Sequence, residues 1–414
     1  MTTNSLLSIP GLQTPKLKAL PPLSLYIHIP WCLKKCPYCD FNSHEIRSPS
    51  GKIPEEAYVT ALVRDLESAL SDVWGRRLSS IFFGGGTPSL LSAGAIDTIL
   101  TAVRTLLPVE HFAEITLEAN PGTFEAQKFA DFRQAGINRL SIGIQSFNAK
   151  HLQALGRVHD DQHAHQAVKI AQANFDNINL DLMYALPGQT LKEAQQDIET
   201  ACAQAVNHIS AYHLTIEPNT LFHRFPPQLP DDEHAAAMQD MIEQVTAHHQ
   251  YRNYETSAFA RPGKESRHNV NYWLFGDYLG IGAGAHSKIS FADSIVRRMR
   301  YKQPREYLAK SQANASTIQT QQILTPADRS FEFMMNALRL TGGFDTSLFS
   351  ERTGLPISAI QHQLNEAEER GLLVHDRVRI KPTILGKRFL NDLLHIFLPE
   401  NNSPGDALQS SIPT

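Results

Sequence analysis

The sequence predicts an α/β protein: an incomplete parallel (β/α)6 barrel followed by a smaller α+β, winged-helix-like extension. Three observations predict it. Six short β-branched runs alternate with longer helical patterns between residues 24 and 217, as expected of a parallel sheet built from strand–helix units. The strands carry one apolar and one polar face, unlike a flat sheet covered by helices on both sides. Beyond residue 217 the rhythm breaks, and 357–397 reads helix, short β-hairpin, helix.

The strand candidates are SLYIHI (24–29), SSIFF (79–83), EITLEAN (114–120), RLSIGIQ (139–145), NINLDLM (177–183) and HISAYHLTI (208–216). Between them lie amphipathic stretches such as EEAYVTALVRDLESAL, AGAIDTILTAVRTLL, FEAQKFADFRQAG and LKEAQQDIETACAQAV. No GxGxxG fingerprint follows the first strand, which argues against a dinucleotide-binding unit. Alternation alone leaves a partial barrel and an open parallel sheet both standing.

The strand faces decide, because successive side chains point to opposite sides. Leu25, Ile27 and Ile29 oppose Tyr26 and His28; Ile115 and Leu117 oppose Thr116 and Glu118. Leu140, Ile142 and Ile144 oppose Ser141, Gly143 and Gln145, while Ile178, Leu180 and Leu182 oppose Asn177, Asn179 and Asp181. A curved sheet with helices outside and a polar ligand inside accounts for this pattern. The sixth strand alternates less cleanly and carries no weight.

The expected organisation is an N-terminal extension (1–23), the barrel (24–217), a linker with an aromatic-rich segment (218–320), the winged-helix-like domain (321–398) and a polar, disordered tail (399–414). Within the linker, PPQLPDDEHAAAMQDMIEQV reads as a proline-rich connection into a helix with Asp231 and Asp232 near its start. No solenoid-type repeat is present.

With 414 residues, 42% of them hydrophobic, the chain can bury a sizeable core. Its formal net charge of -4 gives no general reason to expect polyanion binding. Across 351–398, seven Lys and Arg face six Asp and Glu. That lacks the basic footprint of a nucleic-acid reader, so a structural or protein-docking role is expected there. No apolar run approaches the roughly 18 residues of a membrane span. The first twenty residues lack the basic start and apolar stretch of a secretory signal, so a cytoplasmic location is expected.

Four cysteines in so long a chain are not a disulfide scaffold, and three of them crowd into YIHIPWCLKKCPYCDF (26–41). Cys32, Cys36 and Cys39 have the spacing Cys-x3-Cys-x2-Cys on a loop after the first strand. Such a cluster in a reducing compartment points to a metal. Structural zinc wants four ligands, and His28 or His44 could supply the fourth. A [4Fe–4S] cluster normally takes four thiolates, so three leave one iron open to a small chelating ligand. Cys202 lies inside a helical run and reads as an inert core residue.

With the aromatic Tyr38 just before the third cysteine, this motif resembles the radical S-adenosylmethionine superfamily. YIHIPWC, GGGTPS (84–89), EANP (118–121), SIGIQSF (141–147), LGR (155–157), DLMYALPGQ (181–189) and RHNVNYW (267–273), in that order, resemble the oxygen-independent coproporphyrinogen III oxidase-like family. The resemblance implies an iron that binds the amino and carboxylate groups of S-adenosylmethionine and cleaves it to a 5′-deoxyadenosyl radical, the cofactor carrying the hard chemistry. It further implies that Tyr26, Gly85, Gly86, Thr87, Glu118, Gln145, Arg157 and Asp181 line the S-adenosylmethionine site. Glycine permits close backbone approach, and Glu118 offers an acceptor to ribose hydroxyls or an ammonium group. The fork of Arg157 suits the methionine carboxylate.

Two branches of that family differ at legible positions. The oxidase branch, which converts porphyrinogen propionates to vinyls, carries a further cysteine two positions after the third cluster ligand. Here that position is Phe41, and only 31 residues precede Cys32, where the oxidase has a longer segment. CPYCDFNSH (36–44) and the His268-Asn269-x-x-Tyr272-Trp273 element instead resemble a heme-chaperone branch. This implies heme as cargo, with heme-requiring respiratory proteins at the membrane as acceptors. His268 would ligate heme iron axially, and Tyr272 and Trp273 would offer flat apolar area. The blander alternative makes His268 a helix cap and Trp273 core. The expected function is a cytoplasmic heme chaperone with a [4Fe–4S] cluster and S-adenosylmethionine. An oxygen-independent coproporphyrinogen III dehydrogenase is the alternative.

Overall fold

A computed structural model describes residues 16–47, 51–123, 126–157 and 161–399. The expected tail lies outside the described residues from 400 on, as does the N-terminal extension up to residue 15.

The regular structure opens with β1 (Leu23–Ile29) and a short parallel pair, β2 (Trp31–Cys32) and β3 (His44–Glu45), that closes the cysteine-bearing loop. There follow α1 (Glu55–Ala69), β4 (Leu78–Gly85), α2 (Ala93–Leu106), β5 (Val109–Ala119), α3 (Ala126–Ala135) and β6 (Arg139–Gln145). Then come α4 (Ala149–Ala154), α5 (Asp161–Asn174), β7 (Ile178–Tyr184), α6 (Leu191–Ala203) and β8 (His208–His213). Strands β1, β4, β5, β6, β7 and β8 lie side by side in that order, every pair parallel. These six are the strands expected from the sequence.

Their apolar faces form the main core. Leu25, Ile27, Phe83, Leu117, Ile142 and Leu180 are fully buried against Leu62, Ile96, Phe129 and Val168 from the surrounding helices. Each such side chain contributes about 1.5–3 kcal/mol by leaving water. The opposite, polar face is stitched internally: Ser80 Oγ donates to Ser24 Oγ (2.8 Å), and Ser141 Oγ to Asp181 Oδ2 (2.8 Å). Asn179 Nδ2 donates to Ser141 Oγ (2.7 Å), and its Oδ1 accepts from Ser210 Oγ (3.1 Å).

The stretch 218–320, read from composition as a linker, holds α7 (Leu221–Arg224), α8 (Asp232–His248), β9 (Arg252–Glu255), β10 (Ala258–Ala260) and α9 (Arg267–Trp273). It continues through β11 (Asp277–Ile281), β12 (His286–Ser290), β13 (Ile295–Arg300), α10 (Pro304–Gln312) and β14 (Ile318–Ile323). Its strands extend both edges of the sheet, giving the twelve-stranded order β14-β13-β12-β11-β1-β4-β5-β6-β7-β8-β10-β9. β11 pairs parallel to β1, placing Leu279 opposite Leu25 and Ile281 opposite Ile27. The glycines that suggested a loop are packing glycines. A Cβ on Gly280 would lie 2.0 Å from the His286 carbonyl oxygen, and one on Gly282 2.5 Å from that of His28. The helix expected after Asp231 forms, capped by the Asp231 carboxylate accepting from His234 N (2.9 Å).

The remaining elements are α11 (Pro326–Ala337), β15 (Phe344–Asp345), α12 (Thr346–Thr353), α13 (Gln361–Glu369), β16 (Leu373–His375), β17 (Arg379–Pro382), α14 (Ile384–Arg388) and α15 (Leu390–His395). A small antiparallel sheet, β15-β17-β16, sits among these helices over a separate core. In it, Phe333 meets Phe344 and Phe349 edge to face, with centroids 5.1 and 5.3 Å away. No helix of the described residues is long and apolar enough to cross a membrane.

Candidate functional site

The cysteine loop leaves β1 at the C-terminal edge of the sheet and is pinned at both ends. Trp31 pairs with His44 and Cys32 with Glu45. Lys35 Nζ donates to the carbonyls of Phe41 (3.1 Å) and Ser43 (3.2 Å), and Cys39 N donates to Cys36 O (3.2 Å). Asn42 Nδ2 reaches the carbonyls of Ala283 (2.9 Å) and Lys302 (3.0 Å), tying the loop to the segments after β11 and β13.

The three thiols are half-buried, and each has a polar neighbour. Thr87 Oγ1 donates to Cys32 Sγ (3.6 Å), Arg157 Nη1 to Cys36 Sγ (3.6 Å), and Ser43 Oγ lies 3.5 Å from Cys39 Sγ. Burial pushes the Cys32 and Cys39 thiols up, and the hydrogen bonds from Thr87 and Ser43 pull the other way. Donors aimed at sulfur are what a buried thiolate requires.

The glycine triplet at the end of β4 lies directly against this loop. A Cβ on Gly86 would stand 2.5 Å from the Trp31 carbonyl oxygen and 3.0 Å from Cys32 Sγ. Gly85 has φ +117°, and its Cβ would meet the His28 ring at 2.7 Å. Both positions need glycine. Gly85 N donates to Glu118 Oε2 (3.1 Å), so the triplet also touches the polar strand face.

Asn120, one residue beyond β5, joins the parts and was not singled out by sequence reasoning. Its Nδ2 donates to Thr87 Oγ1 (2.9 Å), and its Oδ1 accepts from Arg157 Nη2 (2.6 Å). The same Nη2 donates to the Gly143 carbonyl (2.9 Å), while Arg157 Nε is buried without a partner. Cys36, Thr87, Asn120, Gly122, Gly156 and Arg157 line a cleft beside the loop. The signal for Asn120 was its place in EANP, directly after Glu118.

Deeper in the lumen lie the other expected residues. Tyr26 bonds through its hydroxyl to His28 Nδ1 (2.9 Å), and His28 Nε2 bonds to the Asn42 carbonyl (2.9 Å). Burial lowers the His28 pKa to about 4, and both its nitrogens are engaged. Burial pushes Glu118 up to about 8; the nearby Asp181 charge adds to this, and Gly85 N–H opposes it. Asp181 is raised by burial against hydrogen bonds from Ser141 and Asn179. Gln145 sits at a register shift of β6 with φ +67°, and its Nε2 lies 2.9 Å from where a Cβ on Gly143 would stand. The eight expected residues therefore gather at the mouth and on the polar face of one barrel. Among the described residues, no group of three or more His, Cys, Asp or Glu side chains could hold a single metal ion. Cys202 is buried in α6 within the core.

The His268 segment occupies the same lumen from another side. His268 is 3% exposed; its ring lies 4.9 Å from Phe82, 5.1 Å from Tyr272 and 6.5 Å from Tyr26. Its Nδ1 is 2.9 Å from Ser80 Oγ, whose own proton goes to Ser24. Nδ1 then carries the hydrogen and Nε2 the free lone pair, buried with no partner. Burial lowers its pKa to about 3. His268 is not the cap of α9, because that bond runs from Asn269 N to Ser266 Oγ (3.3 Å). Tyr272 stacks on Tyr278 (4.2 Å), but Trp273 turns away to lie under the Arg339 guanidinium (4.3 Å). The structure thus brings His268 and Tyr272 together and leaves Trp273 apart.

Comparison with known proteins agrees with this architecture. The radical SAM superfamily matches residues 26–201, and the HemN C-terminal domain matches 324–389. The solved coproporphyrinogen III oxidase (HemN) from Escherichia coli superposes with TM-score 0.77, covering 91% of this chain and 90% of that one, at 23% identity. That likeness shows the fold. Heme chaperone HemW from Escherichia coli (strain K12) is 47% identical over 92% of this chain and 99% of its own. Heme chaperone HemW from Bacillus subtilis (strain 168) is 33% identical over 91% and 99%. Fold and motifs together define a radical SAM protein with a HemN-type C-terminal domain. Within that class, the chain belongs to the heme chaperone HemW family.

Proposed function

We propose that this chain is a cytoplasmic heme chaperone holding a [4Fe–4S] cluster on Cys32, Cys36 and Cys39, with S-adenosylmethionine beside it. Heme is its cargo, delivered to heme-requiring respiratory proteins. The observation that carries the reading is one constellation. Three half-buried thiols, each with a polar neighbour, share one loop at the mouth of a polar lumen, with Cys32 against Gly86.

The residues fit the cluster and its ligand. When bound, the cluster supplies an iron with an open position for the amino and carboxylate groups of S-adenosylmethionine. Thr87, Ser43 and Arg157 offset thiolate charge in a site partly removed from water. Gly85, Gly86 and Thr87 offer backbone to the methionyl amino group, and the fork of Arg157 suits the carboxylate. Glu118, Asp181, Gln145 and Tyr26 present polar atoms to the rest of the molecule. Glu118, held protonated by burial, gives up its proton when a cation binds beside it.

For heme, the unpartnered Nε2 of His268 supports axial ligation, with Ser80 fixing the tautomer as a second partner does for ligating histidines. Tyr272 contributes a flat ring beside His268. Anaerobic reconstitution tests the reading by assaying heme uptake, 5′-deoxyadenosine release and coproporphyrinogen turnover on one sample. Heme uptake without protoporphyrinogen is expected. Protoporphyrinogen formation would overturn the chaperone reading in favour of a dehydrogenase. A heme titration of His268→Ala should show lost affinity; unchanged affinity removes His268 as the ligand.

A further inference from the structure

The near-neutral charge of the C-terminal domain hides a local segregation. Three of the six acids in 351–398 lie on α13, where Glu366 pairs with Arg370 (3.4 Å) and Glu368 with His375 (3.4 Å). The following sixteen residues, 374–389, hold five basic side chains (Arg377, Arg379, Lys381, Lys387, Arg388) and one acid. That acid, Asp376, is spent on the hairpin turn, accepting from the backbone of Val378 and Arg379 (2.7 Å each). Arg379 answers Asp345 (3.4 Å) and Arg388 answers Asp240 (2.7 Å). Arg377, Lys381 and Lys387 have no acidic partner among the described residues.

The same short stretch is unusually apolar on its outside. The described residues expose fifteen large hydrophobic side chains, and five of them fall here. Val374 is 51% exposed, Val378 70%, Ile384 76%, Leu385 46% and Phe389 51%. The ladder explains the mixture. Val374 pairs with Lys381 across β16 and β17, so an apolar and a cationic side chain share the outer face, while Leu373 and Ile380 point into the core. Val378 sits at the hairpin tip, and Gly386 is pressed against the Leu372 carbonyl, which turns Ile384, Leu385 and Phe389 outward.

We propose that the β16–β17 hairpin and α14 form a docking face for an anionic lipid bilayer. Apolar side chains enter the interface while Arg377, Lys381 and Lys387 meet lipid phosphates, the two contributions that hold interfacial proteins to membranes. Exposed apolar groups this concentrated disfavour nucleic acid, whose backbone offers charge without greasy area. The face is far in the chain from the cysteines and from His268, so it does not rest on cluster or heme binding.

Vesicle flotation of the full chain tests it. The wild type should float with vesicles of phosphatidylglycerol and phosphatidylcholine but not with phosphatidylcholine alone. Ile384→Ser with Phe389→Ser, and separately Lys381→Glu with Lys387→Glu, should each weaken binding about tenfold. Lys381, Ile384 and Phe389 are exposed and Lys387 is half-buried, none of them in the core, so circular dichroism and heme titration should stay unchanged. The proposal falls if the wild type does not float, if it floats equally with phosphatidylcholine alone, or if both variants float as well as the wild type. It falls equally if duplex DNA rather than lipid is bound through Lys381 and Lys387.

Discussion

At the scale of single residues, close approach and burial make the sharpest predictions. Gly86→Ala puts a methyl group 2.5 Å from the Trp31 carbonyl and beside Cys32 Sγ. The Trp31 carbonyl is backbone rather than the end of a flexible side chain, so the chain itself must move, at a cost of about 1–3 kcal/mol. Iron and sulfide content after anaerobic reconstitution should fall sharply, while circular dichroism stays near wild type. Glu118 yields a pH prediction. Its folded pKa, about 8, lies above its ordinary 4.5, so the folded state holds the extra proton between those values. The cluster-free protein therefore loses stability from this group as pH rises from 4.5 through 8. Glu118→Gln should raise the melting temperature of cluster-free protein at pH 8 by on the order of a few degrees, a gain that vanishes by pH 4.5. Thermal scans at both pH values check it, and a gain that persists at the lower pH would contradict it. Ser80→Ala removes the partner of His268 Nδ1, so heme affinity should drop several-fold if that partner fixes the ligating tautomer; heme titration reads this directly.

At the scale of elements, the cysteine loop depends on what lies outside it. Asn42 is its long-range tie, with both amide hydrogens donated to carbonyls more than 240 positions away in sequence. Asn42→Ala removes both bonds and frees the loop, an effect of about 1–3 kcal/mol. The reconstituted cluster should decay faster in air than the wild type, followed by its visible absorbance. The loop's motif was legible because three thiols at fixed spacing form a local pattern. The strand faces were legible for the same reason, since a period of two is written in adjacent letters. Asn42, Asn120 and His28 were not legible in this role. Each works through a partner distant in sequence, and an isolated Asn or His carries no pattern. Trp273 was not legible in its place either: one helical turn sets Tyr272 beside His268, and the step of about 100° to the next residue carries Trp273 to Arg339.

At the scale of the molecule, the sheet does not end where the barrel pattern ends. β11 covers the edge of β1, and β12, β13 and β14 continue from it. A fragment ending at residue 217 would expose that edge, with Leu25 and Ile27 beside it, a template for aggregation. Such a fragment should be insoluble where the full chain is soluble, which fractionation after expression would show. Buried ion pairs bind the same parts together. Asp277 on β11 meets Arg76 (2.7 Å) and Lys288 (2.8 Å), while Asp65 on α1 meets Arg300 (3.3 Å). Removing one member of such a pair leaves a buried charge, a loss of about 3–5 kcal/mol.

The alternating strands, the polar lumen, the three-thiol loop and the helix–hairpin–helix at the end can all be read from the amino-acid order alone. All of these are written in short-range periodicity and spacing. Contacts between distant segments set the rest: a glycine-rich stretch becomes the seventh parallel strand, Asn120 joins Thr87 to Arg157, and His268 Nε2 is buried without a partner. The physical reason is that glycine packing and single hydrogen bonds depend on what arrives from far along the chain, and no local pattern records that.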